Sequence, residues 1–286
     1  MRLFCRPLAL NSFISLILLS FFSCNLVHAL DFQSARTLGM AQSGRAAPLL
    51  ADVITLNPST LGFYPISGIS GTYGWQHPSN DLNPFNVGII DGNNDLFSAG
   101  ASFTRATSFD FIHLAMAKKV TDIFSLGAHA KRFNNRTTGP GSRADRYVGY
   151  DFGLSSTIVL SQNQLPIPLY IGITSDNLSN AHEGVFGARQ FGVGLKTNIT
   201  NIILPYLDYI YYQSKGPIDS QQLNLAAEIA AGADFFLRGG LMTLDVKGWG
   251  AGGGWIGPKV GIHYGYQKIT SLDAHFEHSI TLDIFM

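Results

Sequence analysis

The chain has 286 residues, with 19 basic and 19 acidic side chains and a formal net charge of zero. Only 13% of residues are charged, against about 25% in an average soluble protein, and after the first 29 no uninterrupted apolar run reaches the roughly 18 residues of a membrane helix. These values exclude a basic nucleic-acid surface and a helical membrane bundle, and leave the closed β-barrel as the membrane solution for an apolar, exported chain.

Residues 1–29 read as a signal peptide. Arg2 and Arg6 form its basic start, Leu8 to Phe22 its apolar run, and Val27-His28-Ala29 its cleavage site. Both cysteines, Cys5 and Cys24, lie within it, so the rest of the chain cannot be a disulfide scaffold.

Residues 30–62 form a second unit, an N-terminal hatch or plug. From Ser34 to Leu61 the chain is rich in small residues (Ala35, Gly39, Ala41, Ser43, Gly44, Ala46, Ala47), followed by an apolar knot (Leu49, Leu50, Val53, Ile54, Leu56) and then Asn57-Pro58. Asn is a good helix N-cap and Pro is pre-organised at the first helical position, so Asn57 is expected to cap a short turn running through Leu61.

From residue 63 to 286 the pattern is alternation with period two. Candidate strands are 66–76, 85–91, 96–104, 109–118, 123–133, 147–159, 168–177, 188–198, 202–212, 221–230, 235–242, 250–256, 259–267 and 276–285. A soluble sandwich with one wet face would also alternate. Here, however, the polar face is rich in Gly and small residues, as a crowded lumen requires, and Tyr and Phe gather near strand ends as an aromatic girdle would. The expected fold is all-β: an antiparallel transmembrane β-barrel of fourteen strands (twelve if two merge between Ser67 and Phe109), with the hatch inside it. Short connections at 120–122, 200–201 and 232–234 alternate with longer ones at 134–146, 178–187, 213–220 and 243–249. With an even strand count, that alternation puts both termini on the short-turn, periplasmic side.

The same parity collects His129, Lys131, Asp151, Asp176, Lys196, Asp208, Glu228, Arg238, His263 and Asp283 on the lumen face. Mixed signs favour a crosslinked, plugged interior over a single-sign selective pore. Glu228 and Arg238, on adjacent strands, are expected to pair. In His275-Phe276-Glu277-His278-Ser279 the two histidines fall on opposite strand faces, and the spacing is not that of a helical zinc motif. No Gly-x-Ser-x-Gly elbow occurs. No enzyme activity, metal or cofactor is expected.

Ser34-Ala35-Arg36-Thr37-Leu38-Gly39-Met40-Ala41, Leu50-Ala51-Asp52 and Leu56-Asn57-Pro58-Ser59-Thr60-Leu61 resemble the opening of an outer-membrane superfamily that includes the FadL-type fatty-acid transporters and the PorV/PorQ proteins. Met116 to Gly127, Ile173 to Leu178, Ala227-Glu228, Leu237 to Gly240 and His278-Ser279-Ile280 continue the likeness. The chain departs from the family where Ser59-Thr60 follows Asn57-Pro58, where Arg45 introduces a charge, and where Met286 takes the phase of a terminal aromatic. The resemblance implies a barrel in the outer membrane of a Gram-negative bacterium, embedded in outer-membrane lipid, that passes small hydrophobic compounds. The alternatives are a non-conducting PorV-like barrel that docks a partner secretion protein or, more weakly, a barrel hydrolase. It also makes Arg36, Gly39, Met40, Asn57 and Pro58 the residues of a hatch that can shift.

Overall fold

The computed structural model of the chain describes residues 32–286, except 78–82, 95, 107–108, 136–147, 162–166, 180–187, 201, 214–218, 233 and 272–274. The expected signal peptide and most of the connections 134–146, 178–187 and 213–220 lie outside the described residues.

Period-two alternation becomes fourteen antiparallel strands: β1 (Ser67–His77), β2 (Phe85–Asp91), β3 (Ser98–Arg105), β4 (Phe109–Thr121), β5 (Phe124–Asn135), β6 (Val148–Leu160), β7 (Leu169–Asp176), β8 (Arg189–Thr197), β9 (Ile203–Gln213), β10 (Ser220–Ala230), β11 (Phe235–Leu244), β12 (Gly248–Ile256), β13 (Val260–Ile269) and β14 (His275–Phe285). Each pairs with its sequence neighbours, and β1 pairs with β14 from Gly68↔Phe285 to His77↔Phe276, which closes the barrel and leaves no edge strand. The weakest sequence signal, 85–91, is a strand, so the count is fourteen and not twelve. Fourteen is even, so the start of β1 and the end of β14 lie at one end of the barrel, called here the terminal end.

One expectation about connections fails. Residues 243–249 read as a longer loop, yet β11 runs to Leu244 and β12 begins at Gly248. Trp249 pairs across both neighbours, with Leu241 and with Lys268. Gly248-Trp249-Gly250 is strand, with small lumen-side residues flanking an outward aromatic. At the terminal end the β10–β11 turn uses left-handed backbone at Gly232 (φ +80°) and Asp234 (φ +67°).

The two faces differ as a bilayer demands. Outward residues such as Leu114, Leu154, Ile173, Leu237, Ile262 and Leu282 are large, apolar and exposed. A continuous apolar belt of this kind exceeds what a soluble monomer shows and suits hydrocarbon. No helix among the described residues is long and apolar enough to cross a membrane. Inward residues are small or polar and almost fully buried, among them Ser70, Thr72, Asn86, Thr157, Asn224 and Ser279.

What buries them is the hatch. It forms helix α1 (Ala35–Gly39), helix α2 (Ala51–Leu56) and a 3₁₀ turn (Pro58–Gly62). Helix α1 lies against β11–β14, α2 against β1–β4, and the 3₁₀ turn against β3–β6, so the segment crosses the lumen from wall to wall. Leu50, Val53, Ile54 and Leu61 pack with Ile90, Ala115 and Ala117 of the wall. Phe285 turns inward onto this cluster while Met286 stays exposed, so the aromatic one residue short of the C-terminus serves the hatch and not the girdle.

Candidate functional site

Close approach between hatch and wall comes first, because glycine on both sides permits it. A Cβ added at Gly265 would lie 2.1 Å from the Ala35 carbonyl oxygen, one at Gly240 would lie 2.5 Å from that of Met40, and one at Gly127 would lie 2.3 Å from the Ser59 nitrogen. A Cβ added at Gly39 would in turn lie 3.0 Å from the Gly252 Cα. No other residue type leaves room for backbone against backbone at these points.

The hatch is braced internally. Ser34 caps α1: its hydroxyl accepts from the Thr37 amide at 3.3 Å and donates to the Asp52 carboxylate of α2 at 2.6 Å. Burial, the largest influence, pushes the Asp52 carboxyl above its ordinary range, against the pull of its bonds to Ser34 and of Arg36. Ala41, Gln42 and Leu50 take positive φ (50°, 66° and 45°) without being glycine. This backbone is held by its surroundings and not by its own preference.

Two arginines then tie the hatch to the barrel. Arg36 reaches Glu228 of β10 at 3.3 Å and donates to the Tyr206 hydroxyl of β9 at 2.8 Å. Glu228 also takes Arg238 of β11 at 2.5 Å, the pair expected from the sequence. Arg238 donates to Nδ1 of His263 at 3.1 Å, which leaves Nε2 to donate to Asp283 at 3.1 Å; Ser70 completes the chain at 2.7 Å. This buried relay runs from β9 to β1 with hatch residue Arg36 joined near one end. Two residues farther along β9, Asp208 accepts the Gly44 and Arg45 amides at 2.8 and 3.0 Å, with the Arg45 guanidinium 3.6 Å away. The charge at Arg45 that departs from the family pattern is thus matched by the wall.

Asn57 stands at the N-cap position of the turn, but its side chain makes no capping bond. The amide instead donates to the Arg45 carbonyl at 2.7 Å and to Thr157 of β6 at 3.0 Å, and receives Ser59 at 2.5 Å. Ser59 adds a bond from its amide to Ser155 at 3.0 Å, and its hydroxyl lies 2.7 Å from that of Thr157. The turn still starts at Pro58, but Asn57 stitches two limbs of the hatch to β6. The amides that a capping side chain would serve are met otherwise, Ser59 N–H by Ser155 and Thr60 N–H by the Asn57 carbonyl, so the Asn57 side chain is free to satisfy buried acceptors, which would be costly left unpaired.

The lumen residues expected from strand parity therefore divide. Asp208, Glu228 and Arg238 touch the hatch or its immediate partner. His129 and Lys131 instead both bind Asp176 of β7 at 2.9 Å, and Asp151 holds Ser179 at 2.8 Å. Sequence reasoning missed Tyr206, Ser34, Asp52, Ser155 and Thr157 as hatch anchors. Tyr206 shares parity with Asp208, which is the one signal that pointed to it.

At the terminal end a cavity of about 200 Å³ lies between hatch and wall. Leu49, Leu50, Val53 and Leu61 of the hatch and Ile66, Ile90, Ile256 and Phe285 of the wall line it, with Arg36, Asp52 and Asp283 at its polar margin. No three His, Cys, Asp or Glu among the described residues are placed to hold a metal.

No protein-family model matches the chain, and no curated protein matches it by sequence. Solved structures match by fold. The Ralstonia pickettii toluene transporter TbuX aligns with a TM-score of 0.60 at 12% identity, over 90% of this chain and 98% of its own. The CymD monoaromatic hydrocarbon channel gives 0.59 at 12% identity, over 91% and 97%. A FadL homologue of Pseudomonas aeruginosa gives 0.57 at 11% identity, over 88% and 98%. The chain has the fold of the FadL-type outer-membrane barrels, as its opening residues led one to expect.

Proposed function

We propose that this chain is an outer-membrane channel for small hydrophobic compounds, with its terminal end in the periplasm and residues 34–61 as a hatch that shifts to let them pass. The observation that carries the reading is the hatch itself: a segment seated wall to wall in the lumen, held by two ion-paired arginines and glycine contacts, with an apolar cavity directly against it. An aqueous pore has no use for such a lining. The solved structures of like fold that bear names of hydrocarbon or toluene channels support the reading, and none of the three compared above is named for docking secreted proteins or for hydrolysis.

Cavity size sets the scale of the cargo. A dry apolar cavity of about 150 Å³ accepts benzene, so one of about 200 Å³ fits a one-ring hydrocarbon and is too small for a long-chain acid. The test is uptake of labelled toluene and labelled oleate by a Gram-negative host lacking FadL-type channels, with and without this chain. Toluene uptake should rise well above the empty host while oleate uptake stays near it. Toluene uptake equal to the empty host, with a partner protein co-purifying, would replace the channel reading with a docking role.

A further inference from the structure

At its hatch end the relay gathers cations around one carboxylate, its other acid, Asp283, being taken by His263 and Ser70. Arg36 and Arg238 share the single carboxylate of Glu228. Lys196 of β8, half-buried in the lumen beside them, has no ion pair or hydrogen bond among the described residues. Its ammonium lies 5.2 Å from the ring of Tyr170 and 5.5 Å from that of Tyr206, whose ring also takes Arg36 at 5.6 Å. Tyr170, Lys196 and Tyr206 sit directly opposite one another on β7, β8 and β9, near the terminal end.

Two guanidinium nitrogens in this group, Nη1 of Arg36 and Nη2 of Arg238, are buried without a hydrogen-bond partner. The nearest other acids are committed elsewhere, Asp52 to Ser34 and Asp208 to the Gly44 and Arg45 amides. Buried cationic donors left without an acceptor are costly, so these two nitrogens and the unpaired Lys196 favour a further anion here. Cation–ring contacts lower the cost of holding Lys196 there but supply no hydrogen-bond acceptor.

We infer that Lys196, Arg36 and the Tyr170 and Tyr206 rings form a binding site for the carboxylate of a small aromatic acid on the terminal side of the hatch. Aromatic walls with a lysine at their centre suit a planar ring bearing an anionic group, and neutral hydrocarbons would leave the lysine unmatched. The inference rests on the channel reading only for placing this site at the exit; binding itself can be measured without any passage.

Calorimetric titration of the detergent-solubilised chain tests it, with benzoate, benzyl alcohol of similar shape but no charge, and sodium chloride as probes. Benzoate should bind one to one, about tenfold or more tighter than benzyl alcohol, the effect of one charge-assisted hydrogen bond. Lys196→Met should remove that preference, bringing benzoate to the affinity of benzyl alcohol, and Tyr170→Phe, which keeps the ring, should keep it. Equal affinity for benzoate and benzyl alcohol in the unaltered chain would overturn the inference, even if Lys196→Met failed to fold. Displacement of benzoate by equimolar chloride would likewise overturn the assignment to an organic acid. Failure here with toluene uptake intact would leave the channel standing, and benzoate binding without uptake would leave the site standing.

Discussion

Gly265→Val should unseat the hatch while leaving the barrel closed. The new Cβ would fall 2.1 Å from the Ala35 carbonyl oxygen and 3.0 Å from the Gly39 nitrogen, so the backbone of α1 must move away from β13. Overpacking a core costs about 1–3 kcal/mol, and here the clash is with backbone, which cannot rotate aside. That energy shifts a seated-to-unseated equilibrium by about 5- to 150-fold. In planar bilayers the variant should show open-channel events far more often than the parent. Gly71→Val is the control: nothing lies within 4 Å of its added Cβ, and its conductance should match the parent's. A silent Gly265→Val barrel that still migrates as folded would mean that the hatch tolerates displacement without opening a path.

Glu228→Gln should loosen the hatch by a different route. It keeps the shape of the side chain but strips Arg36 and Arg238 of the carboxylate they share. Breaking a buried pair from one side costs about 3–5 kcal/mol, because the remaining charge is left without compensation. Two charges are left so here. Asp208→Asn should cost less, since an amide oxygen can still accept from the Gly44 and Arg45 amides and the Arg45 guanidinium stands 3.6 Å off. Hydrogen exchange of residues 34–45, followed by mass spectrometry, should rank the variants with Glu228→Gln fastest, Asp208→Asn next and the parent slowest. The reverse order would show that the Asp208 contact, and not the relay through Glu228, holds the hatch.

The strands were legible because each obeys one rule, alternation between lipid and lumen, that a local stretch displays by itself. Even Phe85–Asp91 follows it, with Asn86, Gly88 and Ile90 inward and Phe85, Val87 and Ile89 outward. The error at 243–249 arose where small lumen residues around Trp249 mimic a loop. Parity along a strand also told which polar residues face the lumen, but not how deep they lie. That is why His129 and Lys131 seemed equivalent to Glu228 and Arg238 until the register separated them. The hatch was recognisable by its small residues, yet its partners were not. Arg36 and Glu228 stand 192 residues apart, and Ala35 and Thr281 stand 246 apart, and no local pattern encodes which wall a plug will meet. Asn57 shows the same limit: its local preference for capping gave way to the lumen, where Thr157 and the Arg45 carbonyl needed a donor.

The claim at the centre of this account is that passage requires the hatch to leave its seat. Both cysteines of the sequence, Cys5 and Cys24, lie in the expected leader, so an engineered disulfide would be free of competitors. Ser59 in the 3₁₀ turn and Thr157 on β6 have hydroxyls 2.7 Å apart, close enough for Ser59→Cys and Thr157→Cys to be joined. Toluene uptake by cells carrying the double variant should fall to the level of the empty host when the pair is oxidised and recover fully on reduction. Uptake that is equally fast with the disulfide closed would contradict the account and place the path elsewhere than through the hatch.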